Sequence, residues 1–394
     1  ISACAYLGKM YYEGTGVAQN YNEAFKWYQK AANNGVTGAY TWLGVMYYNG
    51  QGVAQNYEKA FLWTKKAAEN GAADAYVGLG VMYCKGQGVA QNYGEAFQWF
   101  QKAVDNGDAV AYCWLVSMYY NGQGVSQNYG EAFKWTKKAA EKGIAAAYAG
   151  LGGMYYKGQG VAQNYNEAFK WTKKAAENGA ADAYVGLGVM YCNGQGVAQN
   201  YNEAFKWFQK AADNGVAGAF AYLGEMYYAG DGVAQNYNEA FKWFQKAADN
   251  GITTGIYYFL ADMFYTGKAG ITDYSQAKKY AELAIKNDTL DIVGHRILAK
   301  LYMYGYAVEK NIDKAEALIE QALAHCKKNG SSDYPCNTMD VKGELFWVMG
   351  DKVKAKEIYD SINKNAPDFY TKIGETELSK YMKAYKEVDV DDDI

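Results

Sequence analysis

The sequence predicts an all-α fold built as an array of helical repeats, and three observations support this prediction. A leucine recurs every 36 residues within a segment that changes little from copy to copy, at Leu7, Leu43, Leu79, Leu115, Leu151, Leu187 and Leu223. Each segment contains two stretches whose apolar residues have helical spacing, separated by glycines. Only Pro335 and Pro367 interrupt the 394 residues. Because an array grows by stacking repeats, this length does not require several globular cores.

The first helix of a repeat is predicted over Asp74 to Lys85 in the third copy. Asp74 is the expected N-cap, since its carboxylate can accept hydrogen bonds from free amides of the first turn. Gly86 is expected to end the helix, because glycine adopts the left-handed conformation at little cost. At 100° per residue, Met82 shares the inner face with the central Leu79.

The second helix of the same copy is predicted to begin after Asn92, a favourable N-cap residue. Glu95 follows three positions later, the spacing of a capping box. Asn106 and Gly107 are expected to end the helix. Its inner face is predicted to consist of Ala96, Trp99, Phe100 and Ala103.

The residues that define the repeat pattern are, in the second copy, Ala39, Leu43, Gly44, Met46, Tyr47, Gly50, Gly52, Val53, Asn56, Tyr57, Ala60, Trp63, Ala67, Ala68 and Gly71. In these residues the repeat resembles the Sel-one-like repeat, a relative of the tetratricopeptide repeat. The resemblance implies a right-handed superhelical α/α solenoid of antiparallel helix pairs that serves as a scaffold or adaptor. It also implies that the first helix of each pair lines the concave surface. The regular cysteines of the disulfide-rich branch of that family are missing here.

Three regions are predicted from the way the pattern drifts along the chain. Residues 1–251 hold seven regular repeats, residues 252–330 hold two divergent repeats, and residues 331–394 hold a tetratricopeptide-like hairpin, a capping helix and an acidic tail. We expect a loop over Lys327 to Asn337, the hairpin over Gly343 to Tyr359 and the capping helix over Asp368 to Lys386. Because Ile1 already lies within a repeat, we expect the natural amino terminus to precede it.

Composition argues against several classes of function. The chain has 42 acidic and 39 basic residues, a net charge of −3, and Arg296 as its one arginine, which disfavours nucleic-acid binding. No apolar run reaches the roughly 18 residues of a membrane span. The irregular spacing of the six cysteines favours free thiols, although Cys326 and Cys336 could form a disulfide. The cellular compartment does not follow from these features.

The chain offers few residues from which a catalytic site could be built. His295 and His325 are its two histidines, and the spacing of His325, Cys326 and Cys336 fits no familiar metal-ligand pattern. No phosphate-binding loop is present, and each Gly-x-Gly follows a helix instead of a strand. We therefore predict no enzymatic activity, no cofactor and no bound metal.

The positions at which the repeats differ predict a binding surface. Residues two before, two after and five after the central leucine are expected to point away from the core. The predicted partner-binding groove consists of Lys9, Tyr12, Thr41, Val45, Tyr48, Val77, Val81, Ser117, Tyr120, Tyr156, Val185, Val189, Glu225, Tyr228, Asp262, Arg296 and Lys300. Tyrosine supplies rigid contact area and a hydroxyl, which suits peptide recognition. Alternatively, the tyrosines pack against the neighbouring repeat.

These features lead to three hypotheses about function. The first is a scaffold that binds a protein or peptide in the groove, with Tyr48, Tyr120 and Tyr156 as anchors. The second is a structural spacer whose repeats self-associate. The third, suggested by the family resemblance alone, is a hydrolase acting on cell-wall material, which the absence of a visible catalytic set disfavours.

Overall fold

The computed structural model describes residues 3–270, 272–288, 291–329, 334–373 and 376–383. All regular secondary structure within these ranges is helical, and consecutive helices pack as pairs, which confirms the predicted all-α repeat fold. The chain divides into two compact units, residues 1–199 and residues 200–394.

The first unit consists of first and second helices in alternation. Its helices are α1 (Ala3–Glu13), α2 (Tyr21–Asn33), α3 (Thr37–Asn49), α4 (Tyr57–Glu69), α5 (Asp74–Lys85), α6 (Tyr93–Asp105), α7 (Ala109–Asn121), α8 (Tyr129–Glu141), α9 (Ala145–Lys157), α10 (Tyr165–Glu177) and α11 (Ala181–Asn193). Odd-numbered helices are the first helices of their repeats, and even-numbered helices are the second.

The second unit continues with helices of similar length and ends in a more irregular region. Its helices are α12 (Tyr201–Asp213), α13 (Gly218–Ala229), α14 (Tyr237–Asp249), α15 (Ile256–Thr266), α16 (Tyr274–Asn287), α17 (Ile292–Tyr304), α18 (Ile312–Asn329), α19 (Tyr334–Val348), α20 (Lys352–Asn365) and α21 (Phe369–Ile373). A further helical segment covers residues 377–383.

Asparagine caps start the second helices as predicted. The Asn92 side chain accepts a hydrogen bond from the main-chain amide of Glu95 at 3.1 Å, and each second helix from α2 to α14 begins with an asparagine in this role. The predicted N-cap at Asp74 is wrong. Ala73 precedes the helix there with helical dihedral angles and no side-chain bond, so Asp74 already lies in the first turn.

The core of each repeat is formed by the central leucine and by small residues of the second helix. Leu79 of α5 and Ala96, Phe100 and Ala103 of α6 are fully buried. Trp99, predicted on the inner face, is half-buried. Burying these apolar side chains is the main favourable term in folding, and the alanines let the paired helices approach closely.

The loop between the two helices of a repeat packs its main chain against the preceding repeat. Gly86 ends α5 in the left-handed conformation, as predicted, and Gly88 follows with φ 73°. A Cβ atom on Gly88 would overlap the main-chain carbonyl of Tyr57, the first residue of α4. The same contact joins Gly52, Gly124, Gly160 and Gly196 to Tyr21, Tyr93, Tyr129 and Tyr165, and Gly232 to Tyr201 in the second unit.

The carboxyl-terminal region differs from the prediction in two places. The loop expected over residues 327–337 is wrong for most of its length, since α18 continues to Asn329 and α19 begins at Tyr334. The single capping helix expected over residues 368–386 is also wrong. Thr376 starts a new helix there: its hydroxyl accepts from the amide of Ser379, and its own amide donates to the Ser379 hydroxyl.

Two further sequence expectations concern residues near this region. Cys326 is a free thiol in α18, with its sulfur 3.8 Å from the hydroxyl oxygen of Thr338. The Cys336 side chain and the acidic tail over residues 389–394 lie outside the described residues.

We expect Gly88→Ala to lower the free energy of unfolding by about 3 kcal/mol, because it adds both a left-handed penalty and a main-chain collision. Gly107→Ala is the matched control, since Gly107 has φ 84° but nothing within 4 Å of the added Cβ. It should cost about 1 kcal/mol. Urea unfolding followed by far-UV circular dichroism measures both, and equal losses would contradict the proposed role of the loop contact.

Candidate functional site

The candidate surface consists of the first-helix positions two before, two after and five after each central leucine; we call it the first-helix surface. In the first unit, Thr41, Val45, Val77 and Val81 are half-buried, whereas Lys9 is exposed. Ser117, Val185 and Val189 are also half-buried. The predicted residues of this unit are therefore accessible in part, and most of them present apolar atoms.

The tyrosines of this surface form hydrogen bonds between repeats. The Tyr48 hydroxyl donates to Gln87 Oε1 at 2.9 Å, and its ring packs edge-on against Tyr57 with centroids 5.3 Å apart. Equivalent bonds join Tyr12 to Gln51, Tyr120 to Gln159 and Tyr156 to Gln195. These tyrosines therefore contact the neighbouring repeat, as the alternative hypothesis from the sequence expected. Their hydroxyl groups already donate hydrogen bonds within the protein.

The glutamine partners were missed in the sequence analysis, although a signal existed. Each tyrosine precedes its glutamine by 39 residues, so the pair recurs with the repeat. A second glutamine, such as Gln55, donates to the main-chain carbonyl of Tyr48 at 2.8 Å. The hydroxyl bond to Gln87 holds the Tyr48 ring in one orientation before any partner arrives, and the Gln55 bond holds the main chain at its base.

Cysteine replaces the tyrosine in the third repeat. Cys84 is buried, and this burial raises the pKa of its thiol. A catalytic or redox-active cysteine requires the opposite shift, toward the thiolate, together with access to solvent. Cys84 is therefore a packing residue.

A cavity of about 380 Å³ opens on the first-helix surface between α9 and α11. Its wall includes the predicted residues Tyr156 and Val189, and Asp182 is its one charged residue. The full lining is Ala149, Gly152, Gly153, Tyr156, Thr172, Asp182, Ala183, Gly186, Val189 and Met190. A mostly apolar, concave site of this size suits a buried apolar group.

The charged positions of the second unit are held in specific pairs. The Tyr228 hydroxyl donates to Asp262 Oδ2 at 2.8 Å, and Lys268 Nζ lies 2.8 Å from the same oxygen. Burial and the Asp262 charge raise the pKa of Tyr228 to about 12. Lys268 was not identified from the sequence, because it lies in a loop where the repeat pattern has drifted. Glu225, by contrast, is exposed.

A second cavity, of about 600 Å³, lies among α15, α16, α17, α19 and the segment after Thr376. It contains the predicted Arg296 and Lys300 together with phenol rings and acidic groups. The full lining is Tyr265, Tyr274, Arg296, Lys300, Tyr304, Tyr306, Asn337, Asp340, Val341, Thr376, Glu377 and Tyr381. Such a mixture of aromatic and ionic groups can bind a polar ligand by stacking and by charge-assisted hydrogen bonds.

Two buried carboxyl groups support this cavity. Lys300 Nζ lies 2.8 Å from Oε2 of the fully buried Glu344, and Tyr304 donates to Glu344 Oε1. Asp340 is also buried and accepts from the hydroxyls of Tyr370 at 3.0 Å and Thr376 at 2.9 Å. Burial raises the pKa of Asp340 to about 6, although both hydrogen bonds oppose that shift.

Asp340 and Glu344 were missed because they lie beyond the last repeat, where no periodic pattern marks them. The two histidines are also neighbours, with His295 buried and its ring centroid 5.2 Å from that of His325. Across the described ranges, no group of three or more His, Cys, Asp or Glu side chains could hold a metal ion. None of the described helices has the length and hydropathy needed to cross a membrane.

Replacing Tyr120 by phenylalanine removes one hydroxyl and leaves the ring in place. We expect the free energy of unfolding to fall by about 1 kcal/mol, since the hydrogen bond to Gln159 is lost. Tyr6→Phe is the control, because Tyr6 is 65% exposed. Chemical denaturation should show no effect for the control, and an equal loss in both variants would rule out the inter-repeat bond as the cause.

Asp340 should make the stability of the protein depend on pH. Its pKa rises from 3.8 to about 6 on folding, so the folded state favours the protonated carboxyl group. The stability that this group contributes is fully present below the unfolded pKa of 3.8 and is lost as the pH rises through about 6. Relative to Asp340→Asn, the unmodified chain should lose about 3 kcal/mol in total from pH ~3 to pH ~7. The amide oxygen can still accept both hydroxyl bonds.

Denaturation series at several pH values measure this difference. Asp360→Asn is the control, because Asp360 is exposed and pairs with Lys356 on the surface of α20. Stability curves for Asp340→Asn and the unmodified chain that stay parallel across this range would contradict the prediction.

Comparison with known proteins identifies the family. The Sel1 repeat family matches residues 1–36, 37–71, 73–108, 109–144, 145–179, 181–216, 220–252, 257–288 and 293–325. Proteins with such repeats typically act as non-catalytic scaffolds in protein–protein interactions. None of the curated proteins compared with the chain matches it.

The solved structures similar to this chain include two with repeats of this kind. One is c5321, a protective antigen of uropathogenic Escherichia coli strains with an SLR fold; the TM-score is 0.70 at 24% identity, over 97% of this chain and 94% of that one. The other is a Sel1 repeat protein from Oxalobacter formigenes; the TM-score is 0.54 at 31% identity, over 63% of this chain and 97% of that one. These two structures share its fold, and because the repeat matches cover most of the chain, the chain belongs to the Sel1 repeat family.

Proposed function

We propose that the chain is a non-catalytic scaffold that binds a peptide segment of a partner protein on its first-helix surface. One observation carries this proposal: in each unit, first-helix surface residues line a cavity. In the first unit these residues are Ala149, Gly153, Tyr156 and Val189, and in the second they are Tyr265, Arg296 and Lys300. Variable positions and concave space therefore coincide.

The rigidity of the surface supports binding. The Tyr156 hydroxyl already donates to Gln195, and the main-chain carbonyl of Tyr156 accepts from Gln163. A partner that docks there therefore contacts a residue that is already held in place. Ordering a side chain costs free energy during association, so a ring that is held before binding reduces that cost. Tyrosine also offers a large contact area with few rotatable bonds.

The two cavities differ in the chemistry that they offer. The cavity of the first unit is lined mainly by alanine, glycine, valine and methionine, whereas that of the second contains Arg296, Lys300, Asp340 and Glu377. A segment carrying apolar side chains suits the first cavity, and a segment carrying charged or polar side chains suits the second. A self-associating spacer would need neither cavity to be open.

Selection of a phage-displayed random peptide library on the immobilised chain tests this proposal. Recovered peptides should bind with about tenfold lower affinity to Val189→Glu, which places a charge in the first cavity, or to Arg296→Gln, which removes one from the second. Fluorescence anisotropy of the labelled peptides measures the affinities.

Matched controls are available on surfaces away from both cavities. Val110→Glu alters a valine that is 57% exposed on α7, and Lys242→Gln neutralises an exposed lysine on α14. Peptides that bind all four variants equally would contradict the proposal. Light scattering of the chain alone, over a concentration series, would reveal self-association and favour the spacer hypothesis.

A further inference from the structure

From the α2–α3 interface to the α14–α15 interface, each interface between repeats contains a pair of residues that are either both aromatic or both small. One member lies on a second helix, and the other immediately precedes the next central leucine; we call them the interface pair. The aromatic pairs stack with centroids 4.5–5.7 Å apart: Tyr28 with Trp42, Phe100 with Trp114, Phe208 with Tyr222 and Phe244 with Phe259. The small pairs are Thr64 with Gly78, Thr136 with Gly150 and Thr172 with Gly186.

Two of the aromatic pairs are joined by a tyrosine of the first-helix surface. In the first unit, the ring centroids of Tyr12 and Trp42 are 4.6 Å apart. In the second unit, the ring centroids of Tyr228 and Phe259 are 5.1 Å apart. In both interfaces, the ring before the central leucine therefore contacts two other aromatic rings.

The interface between α9 and α11 retains the tyrosine of such a cluster but lacks the other two rings. Tyr156 corresponds to Tyr12, while Thr172 and Gly186 stand where Tyr28 and Trp42 would be. The cavity of about 380 Å³ lies at this place and is lined by Tyr156, Thr172 and Gly186. Its position is thus that of an aromatic side chain that the chain itself supplies elsewhere.

The other small pairs face bulkier first helices. Opposite Gly78, helix α3 carries Thr41 and Val45 at the positions two before and two after its leucine. The corresponding residues of α9 are Ala149 and Gly153, and a Cβ added to Gly153 would meet nothing within 4 Å. The coincidence of small residues on α9 and α11 explains why space opens here.

We propose that this cavity binds an aromatic side chain from a peptide segment of the partner, with a basic residue next to it. The incoming ring takes the place that Trp42 and Phe259 occupy in their own interfaces, packing against Tyr156 and the Met190 thioether. Asp182 lies in the cavity wall and is exposed to solvent. Its carboxylate complements a lysine or arginine next to the aromatic residue of the peptide. This inference rests on the proposed function and specifies its ligand chemistry.

Methyl NMR of the full chain, labelled at its methionine methyl groups, tests the inference. The probes are acetyl-Lys-X-Gly-amide tripeptides in which X is Trp, Phe, Leu or Ala. The Trp and Phe probes should shift the Met190 signal by ring currents in a saturable way, with a Kd for the Trp probe about tenfold below that for the Leu probe. The buried Met118 of α7 serves as the internal control, and its signal should not move.

Two variants fill the cavity by different routes. Thr172→Phe combined with Gly186→Trp installs the interface pair that the chain already uses at Phe100 and Trp114. Gly153→Leu fills the space from α9 without touching that pair. Each is expected to abolish the saturable shift of Met190, and the second keeps the test valid if the double variant does not fold.

Equal affinity for the Trp and Leu probes would overturn the inference, as would an unchanged Met190 response in the folded Gly153→Leu variant. Library peptides that lack aromatic residues but lose affinity for Gly153→Leu would also overturn it, while leaving the proposed function intact. Library peptides that bind every variant alike would overturn both.

Discussion

The spacing of the regular repeats depends on a main-chain contact between the loop of one repeat and the second helix of the preceding repeat. The second loop glycine, Gly88 in the third repeat, lies so close to the Tyr57 carbonyl that no side chain fits there. Because main chain meets main chain, this distance does not change when other side chains vary. The contact requires left-handed glycine at both Gly86 and Gly88, which explains why the Gly-x-Gly loop recurs.

Once that spacing is set, side chains determine how each interface is filled. Rings that stack, as Phe100 does on Trp114, fill the space with the chain's own atoms. A threonine facing a glycine leaves room, and at Thr172 and Gly186 this room becomes a cavity. Similar main-chain geometry thus produces closed interfaces and an open one, a means by which a repeat array can vary its surface while its repeats pack alike.

The second unit uses charge where the first uses small apolar residues. Asp262 receives both the Tyr228 hydroxyl and the Lys268 ammonium group, and Lys300 pairs with the buried Glu344. Buried charges require such partners, since desolvation without them is costly. The first-helix surface therefore presents mainly apolar residues in the first unit and several ionic residues in the second.

The sequence by itself determined the repeat length, because the segment recurs every 36 residues. It also determined the asparagine caps and the glycine helix ends, because these are local preferences within about one helical turn. Only the tertiary structure decided which atoms meet across repeats: the Tyr48 hydroxyl with Gln87, the space at Gly186, and the burial of Asp340. These depend on packing between residues far apart in the chain. The predicted N-cap at Asp74 failed for a local reason, since Ala73 before it already has helical dihedral angles and Asp74 therefore lies in the first turn.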